Sequence, residues 1–207
     1  MKRDTPLVQL FYKGLNRYIL PLLDRYHVTP DQLTVTGLLL SGVAGLIFIW
    51  HPGLGAAMLL AGGLFDSLDG LVARARGSAS KAGAFLDSVL DRYGELLVLA
   101  GIWGYLYRTG QPVVLATLAI LFTLAGSLLV SYTRARGEGL GVSCTSGLLQ
   151  RPERILLLAL AGFLETLLPG MALLGITLLL AILTNSTAVG RLLAIRHQLR
   201  QAAAEQG

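Results

Sequence analysis

Cysteine is almost absent from this chain. Cys144 stands alone, which excludes an internal disulfide and a thiolate metal centre. Histidine is nearly as scarce, and His27, His51 and His197 lie too far apart to suggest a zinc site. Charge is the third shortage: only 14% of the 207 residues are Asp, Glu, Lys or Arg, where a soluble domain carries about a quarter. The chain also lacks a basic start leading into a short apolar run and a small-residue cleavage site, so no secretory signal peptide is expected. These shortages exclude disulfide-stapled and zinc-ribbon scaffolds and argue against an ordinary soluble domain.

What fills the space is apolar. Hydrophobic residues make up 54% of the chain, and the mean hydropathy is +0.64. The charges are clustered and leave uncharged runs at Leu33–Trp50, Pro112–Thr133 and Met171–Gly190. Each is close to the ~20 residues that a helix needs to cross a hydrocarbon core. The pattern predicts an all-α integral membrane protein with six transmembrane helices, at roughly 33–50, 53–73, 84–107, 112–133, 152–168 and 171–190. The fifth span is the shortest and carries Glu165, so a buried amphipathic hairpin is its alternative. Pro152 and Glu153 suit a helix start, and Pro169-Gly170 suits a turn into the sixth span.

The formal net charge of +5 could be read as an affinity for nucleic acid, but topology explains it better. With six spans, only Arg108 of the 17 Lys and Arg falls in the three short loops on one side. By the positive-inside rule the two termini and the 74–83 and 134–151 loops face the cytoplasm, which predicts a cytoplasmic-membrane protein and no nucleic-acid partner. Residues 1–32 form a first unit. Within it, Pro6–Arg25 repeats apolar residues at helical spacing with Lys13, Arg17 and Arg25 between them, and reads as an amphipathic juxtamembrane helix. Residues 33–207 form the second unit, a six-helix bundle with a short basic tail.

The chemistry is concentrated in residues 65–92, FDSLDGLVARARGSASKAGAFLDSVLDR. Asp66 and Asp69 are three apart near the cytoplasmic end of the second span, and Asp87 and Asp91 are four apart at the start of the third. Each spacing puts a pair on one helix face. Counted back from the connecting loop, Asp66 and Asp91 lie about eight residues in, on the order of 12 Å deep. A hairpin therefore brings all four carboxylates to matching depths. One aspartate at mid-membrane costs ~2.5–3.5 kcal/mol on insertion scales, so four need protons, arginine partners or metal. An all-oxygen donor set without Cys or His points to Mg²⁺ or Mn²⁺. Four carboxylates around two ions fit the pattern of phosphoryl-transfer sites. The alternatives are helix-end residues reaching the headgroups and a cation pathway through a carrier.

The string Asp66-x2-Asp69-Gly70-x2-Ala73-Arg74-x8-Gly83-x3-Asp87-x3-Asp91 resembles, at every defined position, the signature of the CDP-alcohol phosphatidyltransferases. The resemblance implies that Asp66, Asp69, Asp87 and Asp91 hold two divalent metal ions and that Asp91 also serves as the catalytic base. It implies a CDP-diacylglycerol-type donor, an alcohol acceptor, release of CMP and a homodimer. Arg74 is similar to the family's diphosphate-gripping residue, with Ala73 beside it in the signature and Ser80 a hydroxyl nearby. Thr29-Pro30-Asp31-Gln32 resembles a segment framing the nucleotide, with Asp31 where Asn is frequent. Gly70 and Gly83 would admit close backbone approach, or serve tight helix packing.

Around the signature, Leu86-Asp87-Ser88-Val89-Leu90-Asp91-Arg92 is most similar to the phosphatidylinositol-phosphate and archaetidylinositol-phosphate synthase branch. The glycerophosphate branch usually shows Asp-Pro-Leu-Ala-Asp-Lys there. Ser131–Arg136 and Arg151–Arg154 resemble the same inositol-phosphate branch. Arg134, Arg136, Arg151, Arg154 and Arg191 border the later spans on the cytoplasmic side. Arginine forks suit phosphate, so these five are candidates for a phosphorylated acceptor such as inositol phosphate. Glycerol 3-phosphate, serine or another polyol are the other acceptors, and plain topological anchoring is the other role for the arginines.

Overall fold

A proline and a cap set the first long helix. In the computed structural model, which describes residues 14–143, 147 and 149–204, Pro30 occupies the first turn of α2 (Pro30–Phe48). The Thr29 hydroxyl accepts from the Gln32 backbone N–H at 3.3 Å, and the Gln32 side chain accepts from the Thr29 N–H at 2.9 Å. This reciprocal box satisfies two of the donors that a helix start leaves open. Before it come a π-helical turn, Leu15–Ile19, and a short helix α1 (Leu20–Arg25). His27, at φ 52°, breaks the chain between α1 and α2.

The remaining helices follow the same local logic. Helix α3 (Pro52–Ala75) opens on a proline and ends before Gly77, whose φ of +62° allows the chain to turn. Ser80 caps α4 (Lys81–Arg108), its hydroxyl accepting from the Gly83 N–H at 3.0 Å. Helix α5 (Val113–Glu138) follows Pro112. Helix α6 (Arg151–Leu164) has Pro152 and Glu153 in its first turn, as the sequence suggests. Helix α7 (Ala172–Ala204) is the longest. Glu165, only 2% exposed, turns back over the α6–α7 corner and accepts from the Gly170 and Leu173 N–H groups. Its role is that of a buried cap. Among the described residues there is no strand.

Close helix approach comes from small residues. A methyl group on Gly101 of α4 would overlap the Gly45 carbonyl of α2. One on Gly126 of α5 would overlap Thr184 of α7. Phe48, Ile102, Leu106, Leu173 and Leu180 fill the core behind these crossings. The outer surface carries large apolar side chains, among them Leu39, Leu46, Leu54, Val114, Leu118, Phe122 and Ile182, all well exposed. A surface of that kind suits lipid rather than water, and this is an integral membrane protein.

Four helices, α2, α3, α5 and α7, are long and apolar enough to cross a membrane. The other two expected spans depart from that standard for different reasons. Helix α4 is long enough at 28 residues, but Asp87, Asp91, Arg92 and Glu95 load its first half with charge. Helix α6 has 14 residues, about 21 Å of rise against a core of about 30 Å.

The N-terminal segment is tied to the bundle. Arg76 donates to Asp24 at 2.6 and 2.8 Å and to the Val28 carbonyl at 2.6 Å. Leu15 packs in one apolar cluster with Leu33, Leu68, Leu71 and Val72. Residues 1–13 of the expected amphipathic stretch, and Cys144, lie outside the described residues.

The α2–α4 crossing is open to test. Gly101→Ala is expected to cost roughly 1–3 kcal/mol, because a helix backbone must move to admit the methyl group. Gly190→Ala, where nothing lies within 4 Å, should be neutral or slightly stabilising. Thermal unfolding of the detergent-solubilised protein reads both. Equal behaviour of the two would show that the crossing tolerates separation.

Candidate active site

The facing ends of α3 and α4 bring the signature carboxylates together. Asp66, Asp69 and Asp87 each offer an oxygen, and these three oxygens lie within 4.8 Å of one another. Asp69 is 7% exposed and accepts a hydrogen bond from the Thr34 hydroxyl of α2 at 2.7 Å. An oxygen-only cluster of this charge, half-buried between helices, fits a hard divalent cation. These three residues would hold one such ion. Asp91 completes the four in another way: the Nη1 of Arg151, at the start of α6, reaches Asp91 at 2.5 Å and Asp66 at 2.6 Å. One guanidinium thus spans the two deeper carboxylates.

Two cavities meet at this cluster. The first, of about 390 Å³, lies between the start of α2 and the α3–α4 turn. It is lined by Thr29, Pro30, Asp31, Gly70, Ala73, Arg74, Ser80 and Gly83, together with Asp69 and Asp87. Of the nine residues expected on the nucleotide side, only Gln32 is missing from the lining, because its side chain is spent in the Thr29 box. A Cβ at Gly70 would meet the Arg74 guanidinium at 3.0 Å, and one at Gly83 would meet Ser80 Oγ at 3.2 Å. Both glycines therefore leave room for side chains of the cavity.

The second cavity, of about 380 Å³, opens on the other side of Asp87. Asp91, Arg134, Arg151, Arg154 and Arg191 line it, with Ser88, Arg92, Glu95, Ser131 and Gln150. Arg154 is 4% exposed and makes a two-pronged pair with Glu95, at 2.9 and 3.1 Å. Arg191 donates to the Val130 carbonyl at 2.9 Å, and Arg134 pairs with Glu138 at 2.9 Å. Asp87 lines both cavities, so the cluster forms the wall between them.

Arg136 is the exception among the five expected arginines. It lines a different cavity, between the ends of α5 and α7, together with Arg196. Residues two apart on a helix do not share a face, so Arg134 and Arg136 diverge. Conversely, sequence reasoning missed Thr34 and Glu95. Glu95 was within reach, since 87, 91 and 95 form one i, i+4 stripe along α4. Thr34 gives no such signal, because its partner is 35 positions away.

Comparison with known proteins agrees with this geometry. Residues 27–191 match the family model for CDP-alcohol phosphatidyltransferases. The archaetidylinositol phosphate synthase of Methanothermobacter thermautotrophicus is 37% identical over 165 residues, covering 78% of this chain and 81% of that protein. The phosphatidylinositol phosphate synthase of Mycobacterium tuberculosis is 37% identical over 138 residues, 64% of this chain and 62% of that one. A crystal structure of the M. tuberculosis enzyme with CDP-DAG bound superposes with a TM-score of 0.77 at 31% identity, covering 86% of this chain and 91% of that one. Another, in complex with manganese and citrate, gives 0.78 at 31% identity, covering 86% and 87%. With the signature carboxylates clustered between two cavities and the family match spanning most of its length, the chain belongs to the CDP-alcohol phosphatidyltransferase family.

Proposed function

We propose that this protein transfers a phosphatidyl-type group from a CDP-diacylglycerol-type lipid to inositol phosphate, with release of CMP. The observation that carries this reading is the pair of cavities sharing the wall at Asp87. One presents a capped helix start, glycines and Arg74; the other presents five arginines. The first suits a nucleotide diphosphate, the second an acceptor that itself bears a phosphate. The names of the relatives, synthases of phosphatidylinositol phosphate and archaetidylinositol phosphate, support the same acceptor.

The roles divide along the wall. Arg74 and Ser80 bind the diphosphate, and Thr29, Pro30 and Asp31 frame the nucleotide. Asp66, Asp69, Asp87 and Asp91 would hold two divalent ions, Mg²⁺ or Mn²⁺, which when bound neutralise the diphosphate and the charge that develops on it. Thr34 fixes the Asp69 carboxylate. Arg154, oriented by Glu95, together with Arg134, Arg151 and Arg191, binds the acceptor phosphate and brings its hydroxyl to the wall. Asp91 takes the hydroxyl proton. The acceptor oxygen then forms a bond to the lipid-side phosphorus as the anhydride bond to CMP breaks. Positioning and charge neutralisation supply most of the acceleration in such transfers.

The bundle works as a six-span catalytic unit over residues 33–207, in the cytoplasmic membrane as a homodimer. Helix α1 and the π-helical turn before it lie along the cytoplasmic surface. Helix α4 spans because its charges point into the two cavities, and α6 spans with help from the Thr166–Met171 corner beyond it. In this topology a cysteine at Gly110 is labelled only from the non-cytoplasmic side, and one at Ser78 only from the cytoplasm. Labelling of both from one face would overturn it.

The activity is read as CMP released from CDP-diacylglycerol in detergent, against a panel of inositol phosphate, glycerol 3-phosphate, serine and inositol. Release should be fastest with inositol phosphate. Arg154→Lys should raise the KM for that acceptor by about tenfold or more, the effect of losing one charged hydrogen bond, and leave the KM for the CDP-lipid unchanged. Arg136→Lys should leave the acceptor KM where it was, since its side chain lies in another cavity. Release without an acceptor preference would remove the inositol-phosphate assignment.

Arg151 gives a metal-binding prediction. Its guanidinium already neutralises Asp66 and Asp91, so a cation must compete with it for them. Arg151→Gln should therefore bind Mn²⁺ more tightly, by about tenfold for a competing charge worth ~1.4 kcal/mol, while its acceptor KM worsens. Mn²⁺ titration followed by electron paramagnetic resonance reads the affinity without turnover. Weaker binding would mean that Arg151 orders the ligands rather than competing for them.

A further inference from the structure

The cavity beside Arg136 has no part in the reaction described above, yet it pairs an apolar lining with a rim of arginines. It measures about 430 Å³ and lies where the ends of α5 and α7 pack together. Arg136 borders it from α5, and Arg196 and Arg200 border it from α7. Gly137 lets the helices meet there: a Cβ on it would lie 2.8 Å from Ile195. Three arginines border this one apolar space, and among the described residues none of the three has a carboxylate within ion-pair distance. Neighbouring Arg134, by contrast, is paired with Glu138. Like charges gathered without a counter-ion repel, and an anion between them would relieve that repulsion.

The rest of the lining is mainly apolar or aromatic, with Tyr132, Leu192 and Leu199, and the Thr133 hydroxyl in it donates to the Leu129 carbonyl. The position along the helices matters as much. The uncharged run of α5 ends at Thr133 and that of α7 at Gly190, so the cavity straddles the level where hydrocarbon gives way to headgroups. Tyr132, 63% exposed, sits at that level, as interfacial aromatics do. One turn deeper, Leu128 and Leu129 on α5 and Val189 on α7 are exposed. They continue the lining stripes of the two helices at i−4 and i−3 spacing.

We propose that this cleft binds an anionic phospholipid of the surrounding bilayer. Its phosphate is held by Arg136, Arg196 and Arg200, and its chains run along Leu192, Val189, Leu128 and Leu129. A soluble phosphate would satisfy the arginines and leave the exposed track uncovered; a zwitterionic lipid would cover the track and leave the charge unbalanced. The site is separate from the carboxylate wall and does not depend on which acceptor the enzyme uses.

The test uses the full chain, reconstituted with equal phosphatidylglycerol and phosphatidylcholine, with retained lipid counted by native mass spectrometry. The wild type should retain phosphatidylglycerol preferentially. The double variant R136Q/R196Q should lose that preference by roughly thirtyfold, as expected for two basic residues at a membrane surface. Its unfolding temperature in phosphatidylcholine alone should be unchanged. R17Q/R25Q, which removes the same charge from the N-terminal segment, should retain the preference. Persistence of the preference in R136Q/R196Q, or equal loss in R17Q/R25Q, overturns the proposal in favour of bulk surface charge. Displacement of the lipid by excess glycerol 3-phosphate overturns it in favour of a headgroup-only site. Loss of a dimer without change in lipid preference assigns the cleft to a second copy of the chain instead.

Discussion

The structure turns on charge that must be kept inside a membrane bundle. Asp66, Asp69, Asp87 and Asp91 sit on facing helices at matching depth, and their mutual repulsion would separate α3 from α4 without cations among them. Arg151 supplies one such charge from α6, bridging Asp66 and Asp91. Thr34 supplies a hydrogen bond to Asp69 from α2. Two further helices are thereby drawn around the α3–α4 hairpin by polar contacts at one end of the bundle. The same demand explains why α4 fails a simple apolarity standard while being long enough to span. Its charged stripe faces cavities and arginines, and lipid meets other faces of the helix.

A second constraint acts at the opposite end. Gly45, Gly101 and Leu97 bring α2 and α4 into backbone contact far from the carboxylates, and Phe48 packs against Gly55 and Gly162 to seat α3 and α6. Small residues let membrane helices approach where no hydrophobic drive favours association. Helices clamped at one end and held apart by side chains at the other leave space between them. The cavities of about 390 and 380 Å³ occupy that space, on either side of Asp87. A rigid outer clamp also limits how far the carboxylates can move, which matters for groups that must present oxygens at fixed separations.

Much of this was legible before any coordinates. The three- and four-residue spacings of the aspartates and the Pro152-Glu153 start of α6 are local signals, and the fold realises both. Long-range pairings were not legible. Glu95 with Arg154, Asp24 with Arg76 and Thr34 with Asp69 join residues that only the packing brings together. The expectation for α6 as an ordinary span met a helix of 14 residues, because its hydrophobic run is cut short by Glu165, which the fold needs as a cap for α7. Glu165 reads in sequence as an isolated intramembrane acid, and its role appears only with the turn it closes.

The arginines show where adjacency in sequence misleads. Arg134 and Arg136 look like one patch, yet two residues along a helix is about 200° of rotation, which sends them to different cavities. Arg151 and Arg154, three apart, share a face and line one cavity, but even they do different work. Arg154 lines the cavity with its fork held on Glu95, whereas Arg151 is drawn to the carboxylate wall. Positive charge at this end of the bundle is therefore sorted three ways by helix geometry: to the carboxylates, to the second cavity and to the lipid-facing cleft. A count of basic residues predicts only the side of the membrane. The angular position of each on its helix decides which anion it can reach.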